Sequence, residues 1–237
     1  MPKPDSKKQF DRSCKGLGYG VLNSNDLFNR TKPMRHVNRD TFPHFAYWFF
    51  RTMRTRCDTA LARCKAAWWG IKLGKNCSFH GPVSFKRFPS SLIHIGENCK
   101  FNSSPASNRI GINRPCMITA LKAESQIHIG SGCGFSGTVI ACGKEVVIGN
   151  NVRCGANTLI MDTDWHEDDL RTGPDIPVKI GSNVWLGVNV SILKGVEIGD
   201  GTIIGAGSLV TSSLPGGVMA AGSPARVIRR LELKKRE

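Results

Sequence analysis

The chain of 237 residues has no long apolar run, since its longest aromatic stretch, Ala46 to Phe50, is far too short to cross a bilayer. Its N-terminus, Met1-Pro2-Lys3-Pro4-Asp5, lacks the apolar core of a secretory signal. These two absences set the expectation of a protein that stays in the cytoplasm. The cysteines number nine, an odd count, and no two form a Cys-x-x-Cys pair, so a disulfide framework is not expected. No zinc-finger spacing or RNA-binding signature accompanies the net charge of +15, which sets nucleic acid aside as a partner. No two histidines lie five apart, so no metal site is expected.

What the chain does contain is a period of six. Ile180, Leu186, Ile192, Ile198, Ile204 and Val210 follow one another without a slip, and four of them precede a glycine, in Ile180-Gly181, Leu186-Gly187, Ile198-Gly199 and Ile204-Gly205. A strict hexapeptide period is the signature of a parallel β-helix. Each hexad lays down one short strand with its aliphatic residue pointing into the shaft, the glycine permits a tight corner, and three hexads complete a coil. One such unit cannot bury its own apolar side, so only stacking explains the pattern.

Followed backwards, the period returns at Ile148, Cys154 and Ile160, at Ile129 and Phe135, at Ile95 and Phe101, and at Ile71, Cys77 and Val83. Two segments interrupt it. The stretch from Met161 to Arg171 is too polar for a packed face and reads as a loop extruded over residues 161–179, and Asn102 to Arg114 reads as a second irregular connection. Cys77 and Cys154 fall on the inward phase, while Cys99 and Cys133 stand four residues after Ile95 and Ile129, so these four read as buried small hydrophobes in a reducing compartment.

Charge divides the chain. Residues 1–75 carry 16 Lys/Arg against 5 Asp/Glu, residues 76–225 carry 11 of each, and residues 226–237 carry 6 against 2. The expected organisation is therefore a basic extension over 1–70, a neutral β-helix over 71–225 and a basic tail over 226–237. Residues 1–40 are polar and rich in turn formers, and are expected to be poorly ordered. Ala46, Phe49, Phe50, Met53, Cys57, Ala60, Leu61, Cys64 and Trp68 recur at steps of three and four, which predicts an amphipathic helix over about 46–69. Such a helix would cap the first coil, whose open strand edges need cover, or would lie on an anionic membrane, and the two roles are compatible.

The run Val178-Lys179-Ile180-Gly181-Ser182-Asn183-Val184-Trp185-Leu186-Gly187, with Ile204-Gly205-Ala206-Gly207-Ser208-Leu209-Val210-Thr211 and Ala221-Gly222-Ser223-Pro224-Ala225-Arg226-Val227-Ile228-Arg229, resembles the hexapeptide-repeat acyltransferases. Among these it is most similar to the maltose and galactoside O-acetyltransferases and to the acetyltransferases of exopolysaccharide and O-antigen assembly. The resemblance covers about 70–229. It implies an all-β fold, a left-handed parallel β-helix preceded here by the basic, partly helical extension, and a homotrimer using acetyl-CoA.

Acetyl transfer to a hydroxyl needs a base, a donor for the developing oxyanion and a slot holding both reactants. His166 is the best base, because it stands in the extruded loop and imidazole titrates near neutrality. The resemblance also puts the catalytic histidine on this loop. Asp162, Asp164, Glu167, Asp168 and Asp169 surround it, and Asp164 is the candidate carboxylate that fixes its tautomer. Trp185 matches a tryptophan that walls the acceptor and pantetheine slot. Where the sugar O-acetyltransferases carry an acceptor-facing asparagine, the matching segment Gly134 to Thr138 offers Ser136 as a hydroxyl donor. For coenzyme A the resemblance implies the backbones of Val188 and Ala206, then Thr211, with Arg226 and Arg229 on the phosphates, a pairing that suits guanidinium geometry. The lysine common after that threonine is Ser212 here.

The sequence thus predicts a cytoplasmic acetyl-CoA-dependent O-acetyltransferase for a sugar or sugar-lipid acceptor in polysaccharide assembly. The alternatives are acyl transfer to an amino sugar or amino acid, and a non-catalytic β-helix scaffold.

Overall fold

The structure, a computed structural model, describes residue 39, residues 42–166 and residues 168–231. Apart from Arg39, the expectation for residues 1–40 lies outside them. The chain divides into two units, residues 1–48 and residues 49–237. Helix α1 runs Phe42–Trp68, and its first turns belong to the first unit, where Trp48 Nε1 donates to His44 Nε2 at 2.9 Å.

The second unit is a stack of parallel strands in three sheets, numbered in chain order. One sheet holds β1 (Lys72–Leu73), β4 (Leu92–Ile95), β7 (Gln126–Ile129), β10 (Glu145–Ile148), β13 (Val178–Ile180) and β16 (Glu197–Ile198). The second holds β2 (Ser78–His80), β5 (Lys100–Asn102), β8 (Gly134–Ser136), β11 (Arg153–Ala156), β14 (Trp185–Leu186), β17 (Ile203–Ile204), β19 (Val218–Gly222) and β20 (Ala225–Arg230). The third holds β3 (Ser84–Arg87), β6 (Met117–Ala120), β9 (Val139–Cys142), β12 (Leu159–Met161), β15 (Ser191–Ile192) and β18 (Leu209–Val210). Through β18 the chain visits the sheets in rotation, so every third strand pairs in parallel with its predecessor, as a β-helix requires.

Register puts like on like inside the shaft. Ile95, Ile129, Ile148, Ile180 and Ile198 form one inner column, and Phe85, Ile118, Ile140, Ile160, Ile192 and Val210 form another. In the second sheet Phe79 stacks on Phe101 with ring centroids 4.7 Å apart, and Phe101 on Phe135 at 5.0 Å, an offset aromatic ladder that fills the first coils. The corners explain the glycines. A Cβ on Gly187 would stand 2.6 Å from the Ala206 nitrogen, so no larger residue fits between these stacked turns.

The opening coil corrects the sequence phase. Ile71, Cys77 and Val83 are buried, but Leu73, Phe79 and Phe85 occupy the register positions. Each coil buries a second residue two positions before the strand centre, where Cys99, Cys133, Val152 and Val184 also sit. At the first coil the sequence pattern had locked onto this second set. The cysteines serve there as thiol donors: Cys77 Sγ reaches the Gly96 carbonyl at 3.2 Å, and Cys133 Sγ the Gly149 carbonyl at 3.2 Å.

Residues 49–68 of α1 cover the open end of β2, but not with the apolar stripe. The Phe79 N–H donates to Thr59 Oγ1 at 3.0 Å, and the Gly81 N–H to Asp58 Oδ2 at 2.8 Å. Thr55 Oγ1 bonds His80 Nδ1 at 3.0 Å, and Ala62 and Ala66 pack beneath. A bare strand edge presents unpaired polar groups, so the side of the helix carrying short polar side chains is the side that seats there. Burial, aided by the Lys100 and Arg51 cations, pushes the His80 pKa down to about 4.

At the other end the segment read as a basic tail forms β20 through Arg230, antiparallel to β19.

Candidate functional site

The extruded loop occupies residues 162–177, between β12 and β13. It replaces one corner between neighbouring sheets and drops no strand. Asp162, read from sequence as part of a polar loop, is fully buried. Its carboxylate accepts the N–H groups of Gly143, Lys144 and Glu145 at 2.6, 2.8 and 2.7 Å. Such a carboxylate fills three backbone donors that would otherwise be orphaned at the preceding coil's corner. At the far end Lys122 Nζ meets Asp175 Oδ2 at 2.5 Å, and the Ile176 N–H donates to the Asp162 carbonyl at 3.0 Å. The loop's two roots are thereby tied to each other and to the shaft.

His166 stands exposed between those roots. Its N–H donates to the Asp164 carbonyl at 3.0 Å, and its own carbonyl accepts Thr172 Oγ1 at 2.9 Å. Trp165, immediately before it, has φ +73° and is more than half exposed. A bulky residue in the left-handed region is a strained one, held by its surroundings.

Asp164, the candidate carboxylate for His166, has another partner. It is ion-paired with Lys194, from the turn after β15, and it accepts the Gly173 N–H at 3.2 Å. The Lys194 ammonium holds its carboxyl below the usual carboxylate range. Geometry decides this, because a lysine on the neighbouring turn reaches Asp164 and also bonds the Pro174 carbonyl at 3.2 Å. Asp169 is likewise spent on Arg171, which holds its pKa low.

Ser136 lies on β8 and is nearly buried. Its Oγ accepts Asn108 Nδ2 at 3.1 Å and Asn102 Nδ2 at 3.3 Å. Asn102 stands in register with it one coil earlier, so an asparagine does occupy this column, a strand before the segment matched by sequence. Asn102 Oδ1 is buried and has no partner among the described residues. Arg114 and Asn157, also unremarked in the sequence, hold the 103–116 connection against the shaft: Arg114 Nη2 donates to the Asn157 carbonyl at 2.7 Å, and Asn157 Nδ2 to the Gly111 carbonyl at 2.8 Å. Ser136 is on the second sheet, whereas His166 hangs from the corner between the third sheet and the first. Among the described residues no hydrogen bond joins these two within the chain.

The remaining candidates, Thr211 apart, lie on the second sheet or at the corners that follow its strands. Trp185 on β14 is half exposed, and its register column continues through Ile203 and Met219 to Arg229. The pairing of β19 with β20 slips by one residue, with Ala220 opposite Val227 and Met219 opposite Arg229. The extra residue is Ile228. Directly opposed residues share a face, so the bulge turns Arg226, opposite Ala221, and Arg229 to the same outer side. At the adjoining corners the Val188 carbonyl accepts the Gly207 N–H at 2.7 Å. The N–H groups of Val188 and Ala206 themselves take no partner among the described residues. Thr211 is exposed just beyond β18. Among the described residues no three His, Cys, Asp or Glu side chains cluster to hold a metal ion.

Within this shaft of stacked hexads, residues 177–212 match the family described as bacterial transferase hexapeptide (six repeats). The chain is 42% identical over 113 residues to the galactoside O-acetyltransferase of Escherichia coli, covering 45% of this chain and 55% of that protein. It is 37% identical over 144 residues to the galactoside O-acetyltransferase of Lactococcus lactis, covering 58% and 62%. The resemblance read from the sequence thus stands, although the chain spans about half the length of the curated relatives it matches. Among solved structures, an S84A mutant of the N-acyltransferase AntD from Bacillus cereus superposes with a TM-score of 0.55 at 19% identity, over 73% of this chain and 90% of that one. At that identity the likeness is one of fold.

Proposed function

We propose that this chain is an acetyl-CoA-dependent O-acetyltransferase acting on a sugar or sugar-linked acceptor. The observation that carries the reading is His166 on a loop tied at both roots, in a chain similar to galactoside O-acetyltransferases. In this reading the β-helix winds left-handed and three copies associate, so that His166 of one copy faces Ser136 of the next. The two residues belong to different sheets of one copy, which leaves a neighbouring copy to complete the pair in this reading.

The donor site fits the group it would hold. Two unpaired N–H groups on stacked corners, at Val188 and Ala206, suit the amide carbonyls of a pantetheine arm. Arg226 and Arg229 on one face suit phosphates, and the exposed Trp185 ring offers an apolar wall. Bound acetyl-CoA supplies an acetyl thioester. His166 takes the proton of the acceptor hydroxyl as that oxygen attacks, and returns it to the leaving sulfur. Ser136, positioned by Asn102 and Asn108, donates a hydrogen bond to the acceptor.

The test is thiol release from acetyl-CoA across a panel of sugars and amino sugars. His166→Ala should leave acetyl-CoA affinity nearly unchanged while turnover falls by roughly 100-fold or more. Wild-type turnover in the variant would reject the assignment. A panel in which amino sugars alone react would replace O-transfer with N-transfer.

A further inference from the structure

Helix α1 turns its apolar side away from the shaft. Over residues 49–68 the seated face is Thr55, Asp58, Thr59, Ala62 and Ala66, the two alanines each 2% exposed. Phe50, Met53, Leu61 and Trp68 are 69, 44, 62 and 86% exposed, and Cys57 and Cys64 are exposed beside them. At 3.6 residues per turn these six residues fall in one stripe opposite the alanines. The cations sort to its margins, with Arg54 and Lys65 along one edge and Arg56 and Arg63 along the other. Lys65 also reaches back to the Val83 carbonyl at 3.4 Å. The one acid of the helix, Asp58, faces the shaft, where it accepts the Gly81 N–H.

The outward surface is therefore apolar along its middle, cationic along both edges and free of carboxylates. A second copy pressed against it would bring four positive margins together, and the one acid nearby is Asp58, turned to the shaft with its Oδ2 3.8 Å from Arg54 Nε. A bilayer rich in anionic phospholipid meets both requirements, because it offers an apolar layer for the rings and a row of phosphates at the depth where arginine and lysine stems extend. The surrounding chain adds attraction, since residues 1–75 carry 16 Lys/Arg against 5 Asp/Glu. No helix among the described residues is long and apolar enough to cross a membrane, so the fitting geometry is one that lies in the surface.

We propose that α1 is an interfacial helix that seats the protein on an anionic phospholipid bilayer, with Phe50, Met53, Leu61 and Trp68 at the acyl boundary and Arg54, Arg56, Arg63 and Lys65 against headgroup phosphates. This role does not depend on the catalytic reading. It also lets one helix do two jobs, covering the first coil with one face and holding the membrane with the other.

The test is co-sedimentation of the full chain with phosphatidylcholine vesicles, with and without about one-third phosphatidylglycerol, at low and high salt. Wild type should bind the anionic vesicles, be released by high salt and bind pure phosphatidylcholine at least tenfold more weakly, on the order expected from screening of several cations. Arg56→Gln with Arg63→Gln should lower partition roughly 25-fold, about fivefold per cation. Phe50→Gln with Leu61→Gln should lower it by about tenfold or more. Both pairs are exposed, so thermal unfolding should match wild type in each. Equal partition of wild type and both variants would overturn the proposal. So would equal binding to neutral and anionic vesicles, or a Phe50/Leu61 variant that keeps vesicle binding and instead loses self-association in sedimentation velocity.

Discussion

Lys194 holds Asp164 across the base of the extruded loop, reaching from the turn after β15 to a residue two positions before His166. The same ammonium bonds the Pro174 carbonyl, so one side chain pins the outgoing and returning strands of the loop. In the proposed mechanism this makes Lys194 a positioning residue for the imidazole rather than a group that touches substrate.

Lys194→Met should therefore lower turnover by roughly tenfold, an order suited to lost positioning, and leave acetyl-CoA affinity and the melting temperature close to wild type. Because Asp164 is held below its ordinary pKa, the clamp is intact above the usual carboxylate range and is lost as pH falls through the depressed value. The part of the acid limb that reports loss of the clamp should be missing from the variant, whose loop lacks the tie at every pH. An unchanged profile and unchanged turnover would show that the loop does not need this tie.

For the cofactor, Arg226→Ala combined with Arg229→Ala should weaken acetyl-CoA chiefly through its phosphates, because charge-assisted bonds exceed neutral ones. Calorimetry with coenzyme A and its 3′-dephosphorylated form provides the control. The loss should shrink for the dephosphorylated ligand, and an equal loss for both would assign the arginines to the fold of β20 instead.

The capping contact should be sensitive to acid. His80 has an ordinary pKa near 6.5 and a folded value of about 4, so the unfolded chain binds the proton first as pH falls. Stability from this group is complete above about 6.5 and declines between there and about 4. Melting temperature measured across that window should fall less steeply in His80→Gln than in wild type. Parallel curves would remove His80 from the account.

Trp165 adopts a backbone conformation that costs an L-residue on the order of 1–2 kcal/mol. Trp165→Gly should relieve that cost and raise stability slightly, while turnover drops because the loop beside His166 gains freedom. A variant that is both less stable and fully active would mean that the indole, and not the backbone, supports the loop.

The shaft was legible because stacking puts an aliphatic residue at every sixth position inside, and the Ile180 to Val210 series states this without interruption. The first coil was misphased because a β-helix buries two residues per hexad, and Cys77 and Phe79 are both inside. The helix was legible as amphipathic, yet its orientation was not. Periodicity gives the direction of the apolar stripe, whereas the seat on the shaft was decided by strand groups seeking polar partners, which Asp58 and Thr59 supply. Within the site, Asp162 looked like a solvated loop acid, since nothing in its neighbours foretells three converging backbone donors. The shared face of Arg226 and Arg229 depends on the extra residue Ile228, and a bulge of that kind leaves no periodic trace.

The reversal of direction at β20 has a consequence for assembly. Every other pairing in the shaft is parallel, and a stack of like coils offers each newcomer the same template as the last. By returning antiparallel along β19, the chain ends its tallest sheet with a strand that does not repeat the pattern, while α1 occupies the opposite end of that sheet. Neither end of the second sheet therefore presents a parallel strand that continues the repeat, so coil-upon-coil stacking through that sheet has no matching template.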